Sequence, residues 1–291
     1  MDTSPPTQRL PQFGTWLQTG SPIIAELADV SGFDWLLIDL EHGCGTDASV
    51  LPQLQVIRRA SAIVRVSAPH PDQIARALDW GAAGIMVPMV STVEKAEACV
   101  RSMYHPPRGN RGLARMVRAY QFGLESETPP PLFFAQIESI EGVENARAIA
   151  EVDGVDVLFV GPMDLQHNLD AFPHNTTRDY AACLREVAAA AASAGKACGL
   201  LLRPVDDASV LQDLGFTYMA SGTDITFLRD SYRKVLELQW GNPGKTNRLN
   251  GSNGSAPDLQ TAQTLLTSKN GSNGGIAKAE SASNGQWHSN P

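Results

Sequence analysis

The sequence predicts a closed (β/α)8 TIM barrel followed by a disordered C-terminal tail, and three observations carry that reading. Eight short apolar runs recur between residues 12 and 240. Helical patterns stand between them, the order that covers a parallel sheet on both faces. No Gly-x-Gly-x-x-Gly follows the first run, so the usual mark of an open dinucleotide-binding sheet is missing. A chain of 291 residues with 43% hydrophobic residues suits one such barrel, which takes about 250 residues.

The runs fall at 14–17, 35–39, 62–66, 84–87, 132–137, 157–160, 197–202 and 217–220. Each is short and continuous, as a strand buried on both faces should be. The helices between them are marked by their ends. Ser21-Pro22 gives an N-cap with proline at N1 and opens 23–30. Residues 71–80 begin with proline and acid and stop at Gly81. Ser91-Thr92 precedes 93–103, with Glu94 in the first turn. The stretch 141–151 carries apolar residues at 143, 146, 149 and 150, a helical stripe. The alanine-rich 177–194 ends at Gly195, a C′ glycine. Residues 206–214 end at Gly215, and 224–238 close the barrel. The longest connection, 103–131, contains Pro-Pro-Arg-Gly-Asn-Arg-Gly and ends in three prolines, and long ordered loops tend to be functional.

Domain limits follow from composition. Residues 1–11 read as a flexible N-terminus with no apolar signal segment, 12–240 as the barrel, and 241–291 as a disordered, low-complexity tail. The tail is rich in Gly, Asn and Ser, with Asn-Gly-Ser at 250, 253 and 270, and holds too little apolar surface to offset its ordering entropy. A weak helical patch at 259–266 has no assigned role. A net charge of -8 argues against a nucleic-acid partner, and no apolar stretch suits a membrane span. Cys44, Cys99, Cys183 and Cys198 form no CxxC pair, so the expectation is reduced thiols in a cytoplasmic protein.

Chemistry in a barrel of this kind projects from the carboxyl ends of the strands. Those ends carry Asp39, Glu41 and His42 after the second run, Arg65 in the third, and Gln136 and Glu138 in the fifth. Gly161, Pro162, Met163 and Asp164 follow the sixth, Arg203 the seventh, and Ser221-Gly222-Thr223-Asp224 the eighth. Each has a plainer reading. Asp164 also reads as a helix cap, Arg65 as an ion-pair partner of Asp39 and His42 as a loop histidine, and Glu41 reads first as a solvent-facing charge. Their gathering on one rim favours a site. Glu138 and Asp164, on adjacent strands, are the metal-ligand pair expected of a hard divalent cation, Mg2+ or else Mn2+ or Co2+, since no histidine or thiolate cluster accompanies them. A 2-keto acid would chelate such an ion. None of Lys95, Lys196, Lys234, Lys245, Lys269 and Lys278 reads as standing at a strand's carboxyl end, so an imine route has no residue to carry it.

These residues resemble the HpcH/HpaI aldolases, metal-dependent class II pyruvate aldolases, over about residues 12–238. The likeness rests on Phe-Asp-Trp-Leu-Leu-Ile-Asp-Leu-Glu-His-Gly at 33–43, Val-Arg-Val at 64–66, and Gly-Ile-Met-Val-Pro-Met-Val at 84–90. It continues through Tyr-His-Pro-Pro-Arg-Gly at 104–109, Gln-Ile-Glu at 136–138 and Val-Gly-Pro-Met-Asp-Leu at 160–165. The resemblance implies cleavage of a 4-hydroxy-2-keto acid to pyruvate and an aldehyde, or the reverse addition. It implies Glu138 and Asp164 as metal ligands, His42 as base with Asp39 and Asp79 in its polar surroundings, and Arg65 on the keto-acid end and the enolate charge. Gln136 would line the site, and the backbone of Gly161, Pro162, Met163 and Asp164 would hold the substrate carboxylate. It also implies a homo-oligomer, usually a hexamer, that swaps or packs a terminal helix, which marks 224–238 as an interface element. Met163 stands where relatives often carry a small residue, and 113–120 lacks the usual glycine-rich stretch. Both departures bear on the aldehyde half of the substrate.

Three other readings compete. Oxaloacetate decarboxylation, in the manner of macrophomate synthase, would use the same enolate-forming groups. A non-catalytic barrel would need neither the carboxylate pair nor His42, and all three are present. A phosphate-binding barrel would use the 221–224 loop, which no lysine or arginine closely flanks in sequence.

Overall fold

The computed structural model describes residues 10–174 and 176–240. The expected tail at 241–291, its patch at 259–266 and nearly all of the expected flexible N-terminus lie outside the described residues. Eight parallel strands close in sequence order: β1 (Gln12–Leu17), β2 (Trp35–Asp39), β3 (Ser61–Arg65), β4 (Gly84–Val87), β5 (Leu132–Ile137), β6 (Val157–Val160), β7 (Ala197–Leu202) and β8 (Phe216–Thr223). All eight apolar runs are strands, and β8 pairs with β1 to complete the (β/α)8 barrel. β8 reaches Thr223, beyond the expected end at 220, so Ser221 to Thr223 belong to a strand rather than a loop.

The helices are α1 (Pro22–Val30), α2 (Asp47–Val56), α3 (Pro71–Asp79), α4 (Val93–Met103), α5 (Ile140–Glu144), α6 (Ala146–Glu151), α7 (Pro162–Ala171), α8 (Tyr180–Ser193), α9 (Ala208–Asp213) and α10 (Asp224–Trp240). Two of them were not anticipated. α2 carries Pro52 in its interior and buries only Val50, Gln53 and Leu54, so it has little apolar stripe; a capping box of Thr46 and Ser49 starts it instead. α7 opens on Pro162 and is held down by Leu165 and Leu169, one turn apart, in an otherwise polar segment. The stripe at 141–151 is two helices meeting at Asn145, whose side-chain amide leaves the helix to bond the Ser91 carbonyl. α8 begins at Tyr180, not 177, because the Asp179 carboxylate caps the Ala182 N–H.

Alternation along the strands sorts side chains into two cores. Leu36, Ile38, Val64, Ile85, Ala135, Ile137, Leu158 and Val160 face the helices. Trp16, Trp35, Leu37, Ile63, Met86, Phe134, Val157 and Phe159 fill the barrel. The barrel core is an aromatic stack: Trp35 lies 5.9 Å from both Phe134 and Phe159, and Phe134 lies 5.2 Å from Tyr218. This stack fills the barrel below its carboxyl rim. Among the described residues no helix is long and apolar enough to cross a membrane.

Candidate active site

The inward parity that places Trp35 and Leu37 inside the barrel places Asp39 there too. The same parity takes Ile63 to Arg65 and Phe134 to Gln136 and Glu138. The barrel therefore ends, at its carboxyl rim, in charged side chains standing on an aromatic floor. Asp39 and Arg65 are register partners on β2 and β3. The Arg65 Nε donates to Asp39 Oδ1 at 2.9 Å and its Nη2 to Oδ2 at 2.8 Å, a bidentate pair with side chains 3% and 0% exposed. The guanidinium carbon lies 4.1 Å over the Trp16 ring. Burial alone would raise the Asp39 pKa, but the Arg65 bonds and charge, with the Gln18 amide and the Glu41 N–H, hold it below the usual carboxylate range.

Glu41 does not face solvent as expected. Its side chain turns in over Arg65 and is 18% exposed, with Oε2 at 2.6 Å from Arg65 Nη1. That oxygen is buried yet accepts no hydrogen bond, so the pairing is Coulombic. Burial raises the Glu41 pKa, and the charges of Asp39 and Asp164 add to the effect against Arg65 and His42. The sequence signal was available, since Glu41 follows Asp39 by two, the spacing of inward side chains. The chain, however, leaves the strand at Leu40, so parity no longer applies.

Glu138 sits just past β5 at 3% exposure. Gln136 Nε2 donates to its Oε1 at 2.6 Å and the Met89 N–H to its Oε2 at 2.9 Å. Its pKa is pushed up to about 7, by burial first and then by the Asp164 and Glu41 charges, against the Met89 N–H and Arg65. Gly161 lies directly beneath it. A Cβ at 161 would stand 2.6 Å from Glu138 Cγ and 2.8 Å from Cδ, so the carboxylate occupies space that any other residue would fill. Asp164 is in the first turn of α7 and exposed; the cap position is Gly161, so Asp164 is not the helix cap.

His42 is 61% exposed at the mouth, its Nε2 3.8 Å from Glu41 Oε1. Asp39 receives the His42 main-chain N–H rather than its imidazole. Asp79 is not brought to this rim. It is the last residue of α3, which runs back along the barrel, so it lies at the amino end of the strands, bonded to Arg111. The long connection after α4, with its 3-10 segment Arg118–Gly123, is at that same end. Lys95, in contrast, reaches the carboxyl rim, because α4 starts there; its ammonium bonds the Met89 carbonyl. Arg203 and Arg229 share a crevice of about 540 Å³ with Ser221, Gly222 and Thr223. They are paired to Asp206 and Asp230, which leaves neither as a bare phosphate ligand.

Asp39, Glu41 and Glu138 lie within electrostatic reach of the Arg65 guanidinium, and Asp164 within reach of Glu41 and Glu138, an excess of negative charge that suits a cation. Glu41 Oε2 and Gln136 Oε1 are buried and accept no hydrogen bond among the described residues; Glu41 Oε2 faces the Arg65 charge, and Gln136 Oε1 is left to meet a cation or its bound water. No group of three or more His, Cys, Asp or Glu is arranged to hold a metal among the described residues. The carboxylate and amide oxygens gathered here are the hard donors that a divalent cation takes.

A parallel barrel with charged side chains gathered at its carboxyl rim has the architecture of an enzyme site. The chain belongs to the HpcH/HpaI aldolase/citrate lyase family, whose model matches residues 12–231. It is an aldolase, a carbon–carbon lyase. A 5-keto-4-deoxy-D-glucarate aldolase of Salmonella paratyphi C is 35% identical over 237 residues, covering 78% of this chain and 91% of that one. The crystal structure of a family protein from Burkholderia cenocepacia J2315 is 34% identical with a TM-score of 0.73, covering 79% of this chain and 94% of that one. Macrophomate synthase, 24% identical with a TM-score of 0.67, covering 78% and 83%, shares the fold.

Proposed function

We propose that this aldolase cleaves a 4-hydroxy-2-keto acid to pyruvate and an aldehyde, with Glu138 and Asp164 holding a divalent metal ion, most simply Mg2+. The observation that carries the proposal is Glu138 itself: a buried carboxylate with no cationic side chain bonded to it among the described residues, seated over Gly161 and beside Asp164. The ion, when bound, supplies Lewis-acid polarisation of the 2-keto group.

The remaining work falls to the chain. The first turn of α7 offers the backbone N–H groups of Met163 and Asp164 to the substrate carboxylate at a positive helix end. Arg65, held by Asp39 and Glu41 and backed by Trp16, presents a fixed positive charge to the 2-oxygen as that oxygen becomes negative. Gln136 holds Glu138 in place and lines the site. The exposed His42 imidazole takes the proton of the 4-hydroxyl; C3–C4 then breaks, its electron pair forming the pyruvate enolate, and a proton at C3 completes pyruvate. Asp79 enters this scheme only across a subunit boundary, since its own chain places it at the opposite rim. The Salmonella relatives are named for 5-keto-4-deoxy-D-glucarate, and we propose a substrate of that acidic sugar-derived class.

We further propose a homo-oligomer, a hexamer as in the family. Phe227, Tyr232, Val235, Leu236 and Leu238 of α10 are exposed, and so are Ile23, Leu27 and Val30 on α1 and Val210 on α9. Apolar faces on the helices flanking the α9–α1 side are what a packed terminal helix would cover. All four cysteines are unpaired, which supports a reducing, cytoplasmic location.

The test is pyruvate release from 5-keto-4-deoxy-D-glucarate with Mg2+ and with EDTA, in wild type and in Glu138→Gln, Asp164→Asn and His42→Ala. Full activity in EDTA, or in the Glu138→Gln Asp164→Asn double variant, sinks the metal-site proposal. Turnover of oxaloacetate with no aldol product from pyruvate and any aldehyde would favour the decarboxylase reading.

A further inference from the structure

Met89, just past β4, has φ of +53°, one of three non-glycine residues with positive φ among the described residues and the one beside the site. A residue with a Cβ takes that conformation only where its surroundings hold it. Both peptide groups of Met89 are in use. Its N–H points at Glu138 Oε2 at 2.9 Å. Its carbonyl accepts the Lys95 ammonium at 2.5 Å, with Ser91 Oγ at 3.5 Å. Lys95 is placed by the start of α4, where its N–H bonds Thr92 Oγ1, the N-cap. Met89 also lines a crevice of about 600 Å³ together with Ser139 and Phe172.

We infer that Lys95 and Met89 form a strap that positions Glu138 for the metal: Lys95 holds the Met89 carbonyl, the left-handed turn this imposes aims the Met89 N–H at Oε2, and that bond fixes the carboxylate rotamer. Outer groups that orient a ligand carboxylate bear on metal affinity. Lys95 thereby acquires a role at the rim that is electrostatic and not covalent. Its ammonium is a positioning group acting through the backbone of another residue. The inference rests on Glu138 being a metal ligand.

The experiment is Mn2+ binding to metal-free protein, read by the free-ion electron paramagnetic resonance signal, in wild type, Glu138→Gln, Lys95→Met, Lys95→Arg, Met89→Gly and Met89→Val. The strap requires that Lys95→Met weaken Mn2+ binding about 10-fold or more and that Lys95→Arg restore most of it. Met89→Gly, which adopts positive φ freely, should stay within about twofold of wild type, whereas β-branched Met89→Val should weaken binding like Lys95→Met. Thermal melts in EDTA identify any variant that fails to fold; if Met89→Val does, the Lys95 pair decides. Unchanged affinity in Lys95→Met overturns the strap while leaving the metal site intact. Equal loss in Met89→Gly and Met89→Val overturns it too, since the side chain would then matter and not the backbone. Wild type that binds Mn2+ no better than Glu138→Gln overturns the metal site and the strap together.

Discussion

A glutamate buried beside two other carboxylates carries its negative charge at a cost. The Glu138 pKa, raised from 4.5 to about 7 by burial first and like charges second, sets a sign. Between those values the folded metal-free protein binds more protons than the unfolded chain. Its stability should therefore fall as pH rises through that window and level off above it, by roughly 3 kcal/mol at most. Glu138→Gln keeps an acceptor for the Gln136 amide and removes the charge. It should melt higher than wild type in EDTA at pH 8, match it near pH 5, and bind no Mn2+. Melts at the two pH values check this, and a variant less stable than wild type at pH 8 would contradict it. Asp39 has the opposite sign: its lowered pKa is a stabilising contribution that is lost only as pH falls below the usual carboxylate range. Arg65 is set by three contacts that lysine cannot reproduce, the bidentate Asp39 pair, the Glu41 charge and the Trp16 face. Arg65→Lys should lower kcat by about 100-fold, the scale of losing one preorganised donor to a developing oxyanion. Steady-state kinetics with a KM change of the same size and kcat intact would instead assign Arg65 to uniform binding.

The β6–α7 junction shows how an element serves the site. Pro162 starts the helix, Leu165 and Leu169 dock it, and Gly161 leaves the volume that Glu138 occupies. Gly161→Ala should displace the Glu138 carboxylate and weaken Mn2+ binding at least about 10-fold, as loss of a well-placed ligand does. Calorimetric titration reads this directly, and wild-type affinity in that variant would refute the packing argument. Elements with a strong stripe or cap, such as α1, α3, α4 and α8, were legible in sequence. α2 and α7 were not, because their few buried positions are set by what they pack against and not by an apolar period. The break at Asn145 was hidden for a related reason: the apolar positions of α5 and α6 continue one stripe, and a side-chain bond to Ser91 interrupts it.

At the scale of the molecule, the barrel leaves α10 and parts of α1 and α9 with apolar residues in water. An assembly that covers them should come apart when that face is charged. Leu236→Asp together with Val235→Asp should lower the sedimentation-equilibrium mass of the barrel toward that of a monomer. Retention of the wild-type mass would place the interface elsewhere. Activity lost along with assembly, but regained at high protein concentration, would fit a site to which a second copy contributes. The amino-end rim, where Asp79 pairs with Arg111, is the natural place to look for that contribution.

The sequence by itself determined the barrel, the strand count and the identity of the rim. Each of these rests on local pattern: short continuous apolar runs separated by helical stretches, with Asp39, Arg65, Gln136 and Glu138 at or just past the runs' carboxyl ends. Only the tertiary structure decided what those residues meet. Glu41 turns inward because Arg65, 24 positions away, draws its charge. Lys95 reaches the rim because α4 begins there, and Asp79 is carried to the far end because α3 runs back. Glu138 holds its place because Gly161, just past the neighbouring strand, leaves it room. Those are distances across the barrel, fixed by closure and register, and a one-dimensional pattern does not contain them.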